Sequence, residues 1–488
     1  MFKKLRIQNF KGWKDTGEIR MAPITLLFGA NSSGKSSIGQ FLMMLKQTVE
    51  SSDRRAVFFP GSRNTAIQLG SYQEMVFQRD IQHRIAFSYE WELNTSLKVT
   101  NPATKGQKKT YSGDHLSFEA EVALGEEEQH SLTVNRLEYK LFKKEESLDS
   151  LSISMVYEPD KKTYEVAAEK YDLKRNTGRV WPIGKPVRFY GFPDEVFAYY
   201  QNARLAQGLN LEHEKLFRSL YYLGPLRTRT ERIYSWTGIE PDSVGYVGEN
   251  AIAAILSAKN RKMMLGPKRS AKPFDEVIAQ QLKAMGLIER FEVKKISEQI
   301  QAYEVKVQAK GSNDLVNLPD VGVGVSQVLP VIVQCFYAPP GSVIIMEQPE
   351  IHLHPSAQSA LADVVIDAIL SREKFGRSSQ NRNIQLIIET HSEHFLRRLQ
   401  RRIAEDKISQ ENVATYFANT TAFPAKLEPL QVDEYGNIKN WPDNFFGDEM
   451  GDIIAHSEAT QKRKMQQPSK PDDPQMTLPN LDETTQSQ

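Results

Sequence analysis

The sequence lacks the features that mark secreted and membrane proteins. Only one cysteine, Cys335, occurs among 488 residues, which excludes a disulfide within the chain. No apolar run reaches the length that crosses a membrane, and the N-terminal stretch MFKKLRIQNFKGW has no apolar segment of the signal-peptide kind. We therefore expect a soluble, cytoplasmic protein with no membrane partner.

The chain also lacks an excess of charge. It has 62 basic and 61 acidic residues and a net charge of +1, so no field of the whole chain favours nucleic acid, although a local basic patch could still form. No long run of heptads occurs either, which argues against an extended coiled-coil arm. These absences leave the class of soluble globular proteins, and the length predicts two to three domains or one domain with a large insertion.

What the sequence does contain is a phosphate-binding motif at residues 29–36, GANSSGKS, called the phosphate loop below. It matches G-x-x-x-x-G-K-[S/T], in which backbone N–H groups and the start of the next helix surround phosphate groups. An apolar strand pattern precedes it and a helical pattern follows it. Lys35 is expected to contact the β- and γ-phosphates, and the Ser36 hydroxyl to bind Mg²⁺. The predicted nucleotide-binding residues are Gly29, Ala30, Asn31, Ser32, Ser33, Gly34, Lys35, Ser36 and Ser37.

Three later stretches carry further polar groups at the ends of apolar segments. Residues 341–350, GSVIIMEQPE, read as a buried strand that ends at Glu347, which would place a carboxylate beside Mg²⁺. Residues 320–327, DVGVGVSQ, put Ser326 at the start of a helix, and residues 386–392, LIIETHS, end a strand near His391. Because 312 residues separate Lys35 from Glu347, a large insertion must split the nucleotide-binding sheet.

Together these motifs resemble the ATP-binding cassette (ABC) ATPases of the soluble SMC, RecF and OLD type. Its motifs most resemble those of bacterial phage-defence ABC ATPases that share an E-Q-P-E-x-H-x-H-P box. The resemblance implies that Lys35 and Ser36 bind ATP and Mg²⁺ and that Glu347 is the metal-associated acid. It also implies that Ser326 touches the γ-phosphate held by a second protomer and that His391 senses this phosphate. A homodimer or higher oligomer with ATP at the interface follows from these roles.

The sequence departs from this family at Gln348, where a catalytic glutamate normally follows the metal-associated acid. A glutamine can orient a water molecule but cannot accept its proton. Glu350 is the alternative base within the chain. We therefore expect slow hydrolysis, with ATP acting chiefly as a dimerisation switch.

The predicted fold class is α/β, an ABC-ATPase head with a split core, an inserted antiparallel β-rich lobe and a helical subdomain. The predicted divisions are residues 1–82 (first half of the core), 83–193 (β-rich lobe), 194–310 (helical subdomain with connecting strands), 311–456 (second half of the core) and 457–488 (disordered tail).

Several polar residues leave two interpretations open. Gln68 and Gln73 are candidates for a glutamine that contacts the metal or the attacking water, against ordinary loop residues. The basic groups at 227–232 and 397–402 are phosphate, partner or nucleic-acid contacts, or solvated faces. His352 and His354 resemble metal ligands, although their spacing favours loop packing.

The function that this resemblance implies is an ATP-gated sensor or regulator in prokaryotic anti-phage defence that controls a separate effector, a nuclease or toxin. The alternatives are an SMC- or RecF-like DNA-repair or DNA-binding ATPase, and a non-catalytic ATP switch. An OLD-like nuclease within this chain is disfavoured, because no D-x-D carboxylate motif follows His391. The N-terminal L-R-I-Q-N-F segment and the histidine box argue against a transporter cassette.

Overall fold

The computed structural model describes residues 1–101, 109–125, 131–144, 150–178, 181–266, 269–297, 300–421, 423–442, 445 and 449–466. The strands are β1 (Phe2–Phe10), β2 (Trp13–Asp15), β3 (Ile19–Arg20), β4 (Ile24–Gly29), β5 (Ile85–Asn101), β6 (Lys109–Leu124), β7 (Leu132–Phe142), β8 (Leu151–Glu158), β9 (Thr163–Glu169), β10 (Leu220–Leu223), β11 (Tyr234–Ser235), β12 (Lys262–Met264), β13 (Lys272–Pro273), β14 (Ile288–Ser297), β15 (Ile300–Ala309), β16 (Leu315–Asn317), β17 (Val343–Glu347), β18 (Arg372–Phe375), β19 (Ser378–Asn381), β20 (Gln385–Glu389), β21 (Val413–Asn419) and β22 (Lys426–Leu430). The helices are α1 (Lys35–Glu50), α2 (Tyr72–Met75), α3 (Asp194–Tyr199), α4 (Arg204–Arg218), α5 (Ala251–Ser257), α6 (Phe274–Ala284), α7 (Val323–Tyr337), α8 (Pro355–Leu370), α9 (Glu393–Ala404) and α10 (Glu449–Gln466).

A six-stranded sheet in the order β10-β17-β20-β4-β21-β22 forms the centre of the nucleotide-binding core. Its first five strands are parallel, and β22 runs antiparallel to β21. Strands β4, β17 and β20 are apolar and buried throughout their length, as expected for parallel strands covered on both faces. The split core is confirmed, since β4 comes from the start of the chain and its neighbours from beyond residue 384.

The carboxyl ends of these parallel strands meet at one edge of the sheet, where α/β proteins bind ligands. Glu347 at the end of β17 is paired with Glu389 at the end of β20, and Glu389 is paired in turn with Leu27 of β4. The phosphate loop follows β4 directly. Three loops that carry polar residues therefore converge by register alone.

An eight-stranded antiparallel sheet contains the predicted β-rich lobe. Its order is β2-β1-β5-β6-β7-β8-β9, with β3 paired to β1. Strand β1 pairs with β5 from Phe2 to Gln8, so the predicted boundary between residues 82 and 83 runs through a continuous sheet. The lobe is thus an extension of the N-terminal strands. Likewise, the predicted helical subdomain contributes a strand to the core sheet. Strand β10, the short apolar run LYYL, lies at the edge of that sheet and pairs with Val343–Met346.

His213 of α4 lies at the centre of an aromatic cluster that joins this helix to the antiparallel sheet. The side chain is fully buried, and Tyr190 stacks on its ring at 4.4 Å between centroids. The Tyr139 hydroxyl donates to the Tyr190 carbonyl oxygen (3.0 Å) and lies 2.9 Å from His213 Nδ1, so it accepts from Nδ1–H. Nε2 then accepts from the Tyr89 hydroxyl (2.9 Å). Both ring nitrogens are satisfied in the neutral form.

We expect His213 to make folding stability depend on pH. Burial holds its pKa well below the ordinary value of 6.5, so below that pH the unfolded chain binds a proton that the folded chain does not. The free energy of unfolding should therefore fall with decreasing pH, by up to about 1.4 kcal/mol per pH unit from this group. Urea unfolding between pH 5 and 7.5 measures the slope, and His213→Gln should reduce it. Equal slopes in the variant and the wild type would contradict the assignment.

The second unit of the chain begins at Pro442 and contains α10. The predicted disordered tail, 457–488, is wrong for residues 457–466, which are helical. Their sequence, SEATQKRKMQ, consists mostly of good helix formers. The proline-rich polar segment that indicated disorder begins only at Pro468. Residues 467–488 lie outside the described residues.

No helix in the described part of the chain is long and apolar enough to span a membrane.

Candidate nucleotide-binding site

The phosphate loop connects β4 to α1 through a turn that requires glycine. Gly34 precedes the helix with a φ of +90°, and Gly29 has a φ of +142°. A Cβ atom on Gly29 would lie 2.8 Å from the Ala418 carbonyl oxygen, which excludes a side chain there. The two ends of the motif are therefore fixed by backbone conformation.

Lys35 is buried beneath this loop and is held by its oxygen atoms. Its Nζ donates to the carbonyl oxygens of Gly29 (3.1 Å) and Ala30 (2.7 Å), and it lies 3.9 Å from Glu389 Oε1. Burial lowers the pKa of Lys35, while the negative charges of Glu389 and Glu350 oppose that shift. The ammonium group is thus placed at the loop and surrounded by acceptors that a phosphate could replace.

The turn between β1 and β2 braces the phosphate loop from outside. Fully buried Trp13 donates its indole N–H to the Gly34 carbonyl oxygen (3.1 Å) and to Ser37 Oγ (2.9 Å). Lys11 Nζ donates to Gln40 Oε1 of α1 (2.6 Å). The first two turns of α1 and the residue before them are therefore tied to residues 11–13 by these hydrogen bonds.

A cavity of about 510 Å³ opens above the loop, a size in the usual range for small-molecule sites of about 300–1,000 Å³. It is lined by Asn31, Ser32, Ser33, Gly34, Lys35, Ser36, Ser37, Lys11, Gly12, Gln40, Gln348, Glu389, Thr420, Phe423 and Ala425. Seven of the nine predicted nucleotide-binding residues line this cavity; Gly29 and Ala30 instead hold Lys35 through their carbonyl oxygens.

Glu389 is the site residue that the motif analysis missed. It lines the cavity, its carboxylate interacts with the Ser36 hydroxyl and with Lys35, and its Oε2 is buried without a partner. Burial raises its pKa. The sequence does show that two short apolar runs, the later β17 and β20, each end in glutamate, but only the structure shows that these strands are neighbours.

Glu347 lies beside Glu389 but does not line the cavity. Its Oε1 accepts a hydrogen bond from the Tyr222 hydroxyl (2.9 Å), and Arg227 Nη2 lies 3.5 Å from its carbonyl oxygen. Burial, and then the charge of Glu389, raise the pKa of Glu347 to about 7. The carboxylate predicted to face the metal is therefore engaged with Tyr222 in this structure.

The donor set of this edge suits Mg²⁺. Mg²⁺ takes oxygen ligands and is usually bound by one or two carboxylates together with substrate phosphates. The Ser36 hydroxyl and the unpartnered Glu389 Oε2 supply such oxygens, with Glu347 adjacent. Among the described residues no group of three His, Cys, Asp or Glu forms a metal site by itself, so the nucleotide would complete the coordination.

Gln348, the predicted water-orienting residue, and Glu350, the candidate base, occupy different places. Gln348 has a φ of +44°, donates its backbone N–H to the Glu389 carbonyl oxygen (2.8 Å) and lines the cavity. Glu350 is buried behind it, where its Oε1 accepts from the His391 backbone N–H (2.8 Å) and its Oε2 has no partner. The His391 side chain is exposed to solvent on one side. Desolvation of the part that faces the protein, and then the charge of Lys35, lower its pKa. Neither Glu350 nor His391 lines the cavity.

Ser326 lies in the first turn of α7, away from the phosphate loop. Its hydroxyl donates to the Val323 carbonyl oxygen (2.7 Å) and borders a separate cavity of about 280 Å³ with Arg229 and Tyr234. Within one chain, Ser326 and Lys35 thus belong to different surfaces.

The remaining open interpretations resolve mostly toward structural roles. Arg232 forms a two-point ion pair with Asp320 (2.6 and 2.9 Å), whereas Arg227 is partly buried near Glu347. His354 caps α8 by accepting from the Ser356 N–H. Neither Gln68 nor Gln73 lines the phosphate-loop cavity.

The arginines of α9 are paired with acids, as expected for a solvated face. Their partners are Asp363 for Arg398 and Arg402, Glu393 for Arg397, and Glu405 for Arg401. Little unneutralised charge is left on that face to attract nucleic acid.

Comparison with known families agrees with a nucleotide-binding site. Residues 1–216 match an "AAA ATPase domain" family, and residues 264–397 match a family described as "AAA domain, putative AbiEii toxin, Type IV TA system". Residues 408–454 match a "Protein of unknown function (DUF3696)" family. The first match includes β4 and the phosphate loop, the second includes β17 and β20, and both support an ATP-binding ATPase.

A search of curated proteins gave no match. Among solved structures, an SmcHead bound to the C-winged helix domain of ScpA matches with 12% identity and a TM-score of 0.39, over 88% of this chain and 98% of that chain. The SMC head domain from Thermotoga maritima matches with 10% identity and a TM-score of 0.38, over 88% and 99%. An Smc head domain with an extended coiled coil, bound to the C-terminal domain of ScpA and derived from Pyrococcus furiosus, matches with 9% identity and a TM-score of 0.37, over 94% and 99%.

Proposed function

We propose that this protein is an ATP-gated dimer or higher oligomer that hydrolyses ATP slowly and regulates a separate effector in anti-phage defence. The observation that carries the nucleotide part is the convergence of Lys35, Ser36, Glu389 and Gln348 on one cavity. In this assignment Lys35 leaves the loop carbonyl oxygens for the β- and γ-phosphates. Ser36 and the neighbouring glutamates hold Mg²⁺, which would polarise the phosphate oxygens, and Gln348 orients the attacking water.

The separation of Ser326 from the phosphate loop supports the oligomeric part. A helix start with an exposed hydroxyl suits a phosphate contact, yet Ser326 does not line the cavity that holds Lys35. A second copy of the chain could bring its own Ser326 to the γ-phosphate. Each site would then be completed only by dimerisation, which couples ATP binding to assembly.

Ser326→Arg is expected to leave ATP binding to the open chain intact but to prevent ATP-dependent closure, because the long cationic side chain would occupy the space of the hydroxyl contact. Light scattering and interface crosslinking with Mg²⁺ and ATP measure closure. Ser378→Arg is the matched control, because the Ser378 hydroxyl is also exposed and donates to the carbonyl oxygen three residues earlier. Closure of Ser326→Arg at the wild-type ATP concentration would refute the proposed contact.

The proposed effector is a separate protein because the described residues contain no cluster of metal-ligating side chains of the kind a metal-dependent nuclease needs. The paired arginines of α9 likewise do not favour the DNA-binding alternative. Capture from the native host with wild-type and Lys35→Ala protein tests the division of roles. Cleavage of DNA or RNA by the purified chain with Mg²⁺ or Mn²⁺ would overturn it.

A further inference from the structure

One end of the phosphate-loop cavity is lined by an exposed aromatic ring. Phe423, in the connection between β21 and β22, is 76% exposed and borders the same cavity as the phosphate loop. Thr420 and Ala425 lie on the same connection and also line the cavity. A single exposed phenylalanine is ordinary on a protein surface. Phe423 differs from such a residue because it lines the same cavity as Lys35 and Ser36.

Phe423 is supported from one side by a second aromatic ring. Phe77 is buried, and the two rings are stacked with centroids 5.9 Å apart and planes 20° from parallel. Phe77 in turn packs against the edge of the His83 ring. One face of Phe423 is thus held against the protein body, and its large exposed area leaves the ring free to receive a planar group.

We propose that Phe423 is the stacking platform for the base of the nucleotide whose phosphates bind at Lys35. This inference rests on the proposed function, since it concerns the same cavity. The polar end of the cavity suits a triphosphate, and the aromatic end suits a purine ring. The two ends lie within one space of about 510 Å³.

The cavity-lining side chains of the β21–β22 connection also determine which nucleotide bases the site can distinguish. Of the three lining residues of the β21–β22 connection, only Thr420 has a side-chain group that can hydrogen-bond to a base edge. Stacking tolerates any base, because every base has a π-face. A site without a fixed set of hydrogen-bond partners does not strongly reject an isosteric ligand. The platform therefore accepts ATP and GTP with similar affinity, and the base adds affinity without selecting adenine.

The test compares Phe423→Ala with Phe423→Trp in the full chain, by calorimetric titration with ATP, GTP and inorganic triphosphate in Mg²⁺. Base stacking on aromatic side chains supports a loss of roughly 5- to 150-fold for ATP and GTP in Phe423→Ala. Triphosphate affinity should not change, and Phe423→Trp should retain nucleotide affinity. Tyr435→Ala is the control, because Tyr435 is an exposed aromatic residue that does not line the cavity.

The outcomes separate this inference from the function on which it rests. If Phe423→Ala binds ATP as the wild type does, the platform is wrong and the phosphate site stands. If Phe423→Ala loses ATP and triphosphate equally, the ring only supports the loop, and the platform is again wrong. If the wild type binds neither ligand, the proposed nucleotide site itself fails.

Discussion

Lys35→Ala is expected to weaken ATP binding severely. Removing one partner of a desolvated, hydrogen-bonded charge contact costs about 2–5 kcal/mol, or roughly 30- to 5,000-fold in affinity. Lys35 is the buried cation that the loop carbonyl oxygens hold at the cavity. Calorimetric titration with Mg²⁺ and ATP measures the loss directly.

Thermal unfolding must accompany that titration, because Lys35→Ala also removes a charge beside Glu389. Lys46→Ala is the matched control. Lys46 lies on the same helix and is also buried, but it pairs with Glu50 (2.5 Å) and does not line the cavity. It should alter stability without altering ATP affinity. A folded Lys35→Ala protein that binds ATP as tightly as the wild type would remove the phosphate-loop assignment.

Gln348→Glu should raise the rate of ATP hydrolysis and shorten the lifetime of the closed dimer. General-base catalysis contributes about 10²–10⁴-fold, and the side chain at 348 lines the cavity where the attacking water must lie. The wild type should accordingly combine tight ATP binding with low turnover. Steady-state phosphate release measures the change.

Two further variants separate the proposed metal ligand from the candidate base. Glu350 is tied to the His391 N–H and does not line the cavity, whereas Glu389 faces Ser36 and Lys35 there. Because Glu389 is a proposed Mg²⁺ ligand, Glu389→Gln should remove the residual turnover, and Glu350→Gln should have the smaller effect. If Glu350→Gln abolishes turnover and Gln348→Glu changes nothing, Glu350 is the working base. Rapid wild-type hydrolysis that survives Gln348→Ala and Glu350→Gln would contradict both versions.

The parts of the site that a local pattern determines could be predicted from the sequence. The strand, loop and helix around Lys35 follow from apolar periodicity and the two required glycines, and β17 and β20 follow from short apolar runs with polar ends. Glu389 was missed because its importance depends on which strand lies beside β17, and strand order is a property of the whole fold. The burial of Glu350 likewise depends on its contact with the His391 N–H, 41 residues later in the chain, which local sequence does not predict.

Features near the predicted divisions of the chain could not be predicted for a related reason. The change from helical to alternating patterns near residue 83 is real, but it does not reveal that β1 continues into the same sheet. Strand β10 was too short to stand out within a mostly helical region. In the tail, the polar composition of the final segment led to a prediction of disorder that also included the helix-forming residues before Pro468.

The position of β4 between β20 and β21 has a consequence for synthesis on the ribosome. Both neighbours of this fully buried strand are encoded more than 350 residues after it. At about 5–20 residues per second, the nascent chain would carry β4 without its partners for roughly 20 to 70 s. During that time the antiparallel sheet can already assemble from the first third of the chain. The nucleotide site is therefore among the last parts of the protein to be completed. The antiparallel sheet can fold on the emerging chain before the site that binds ATP exists.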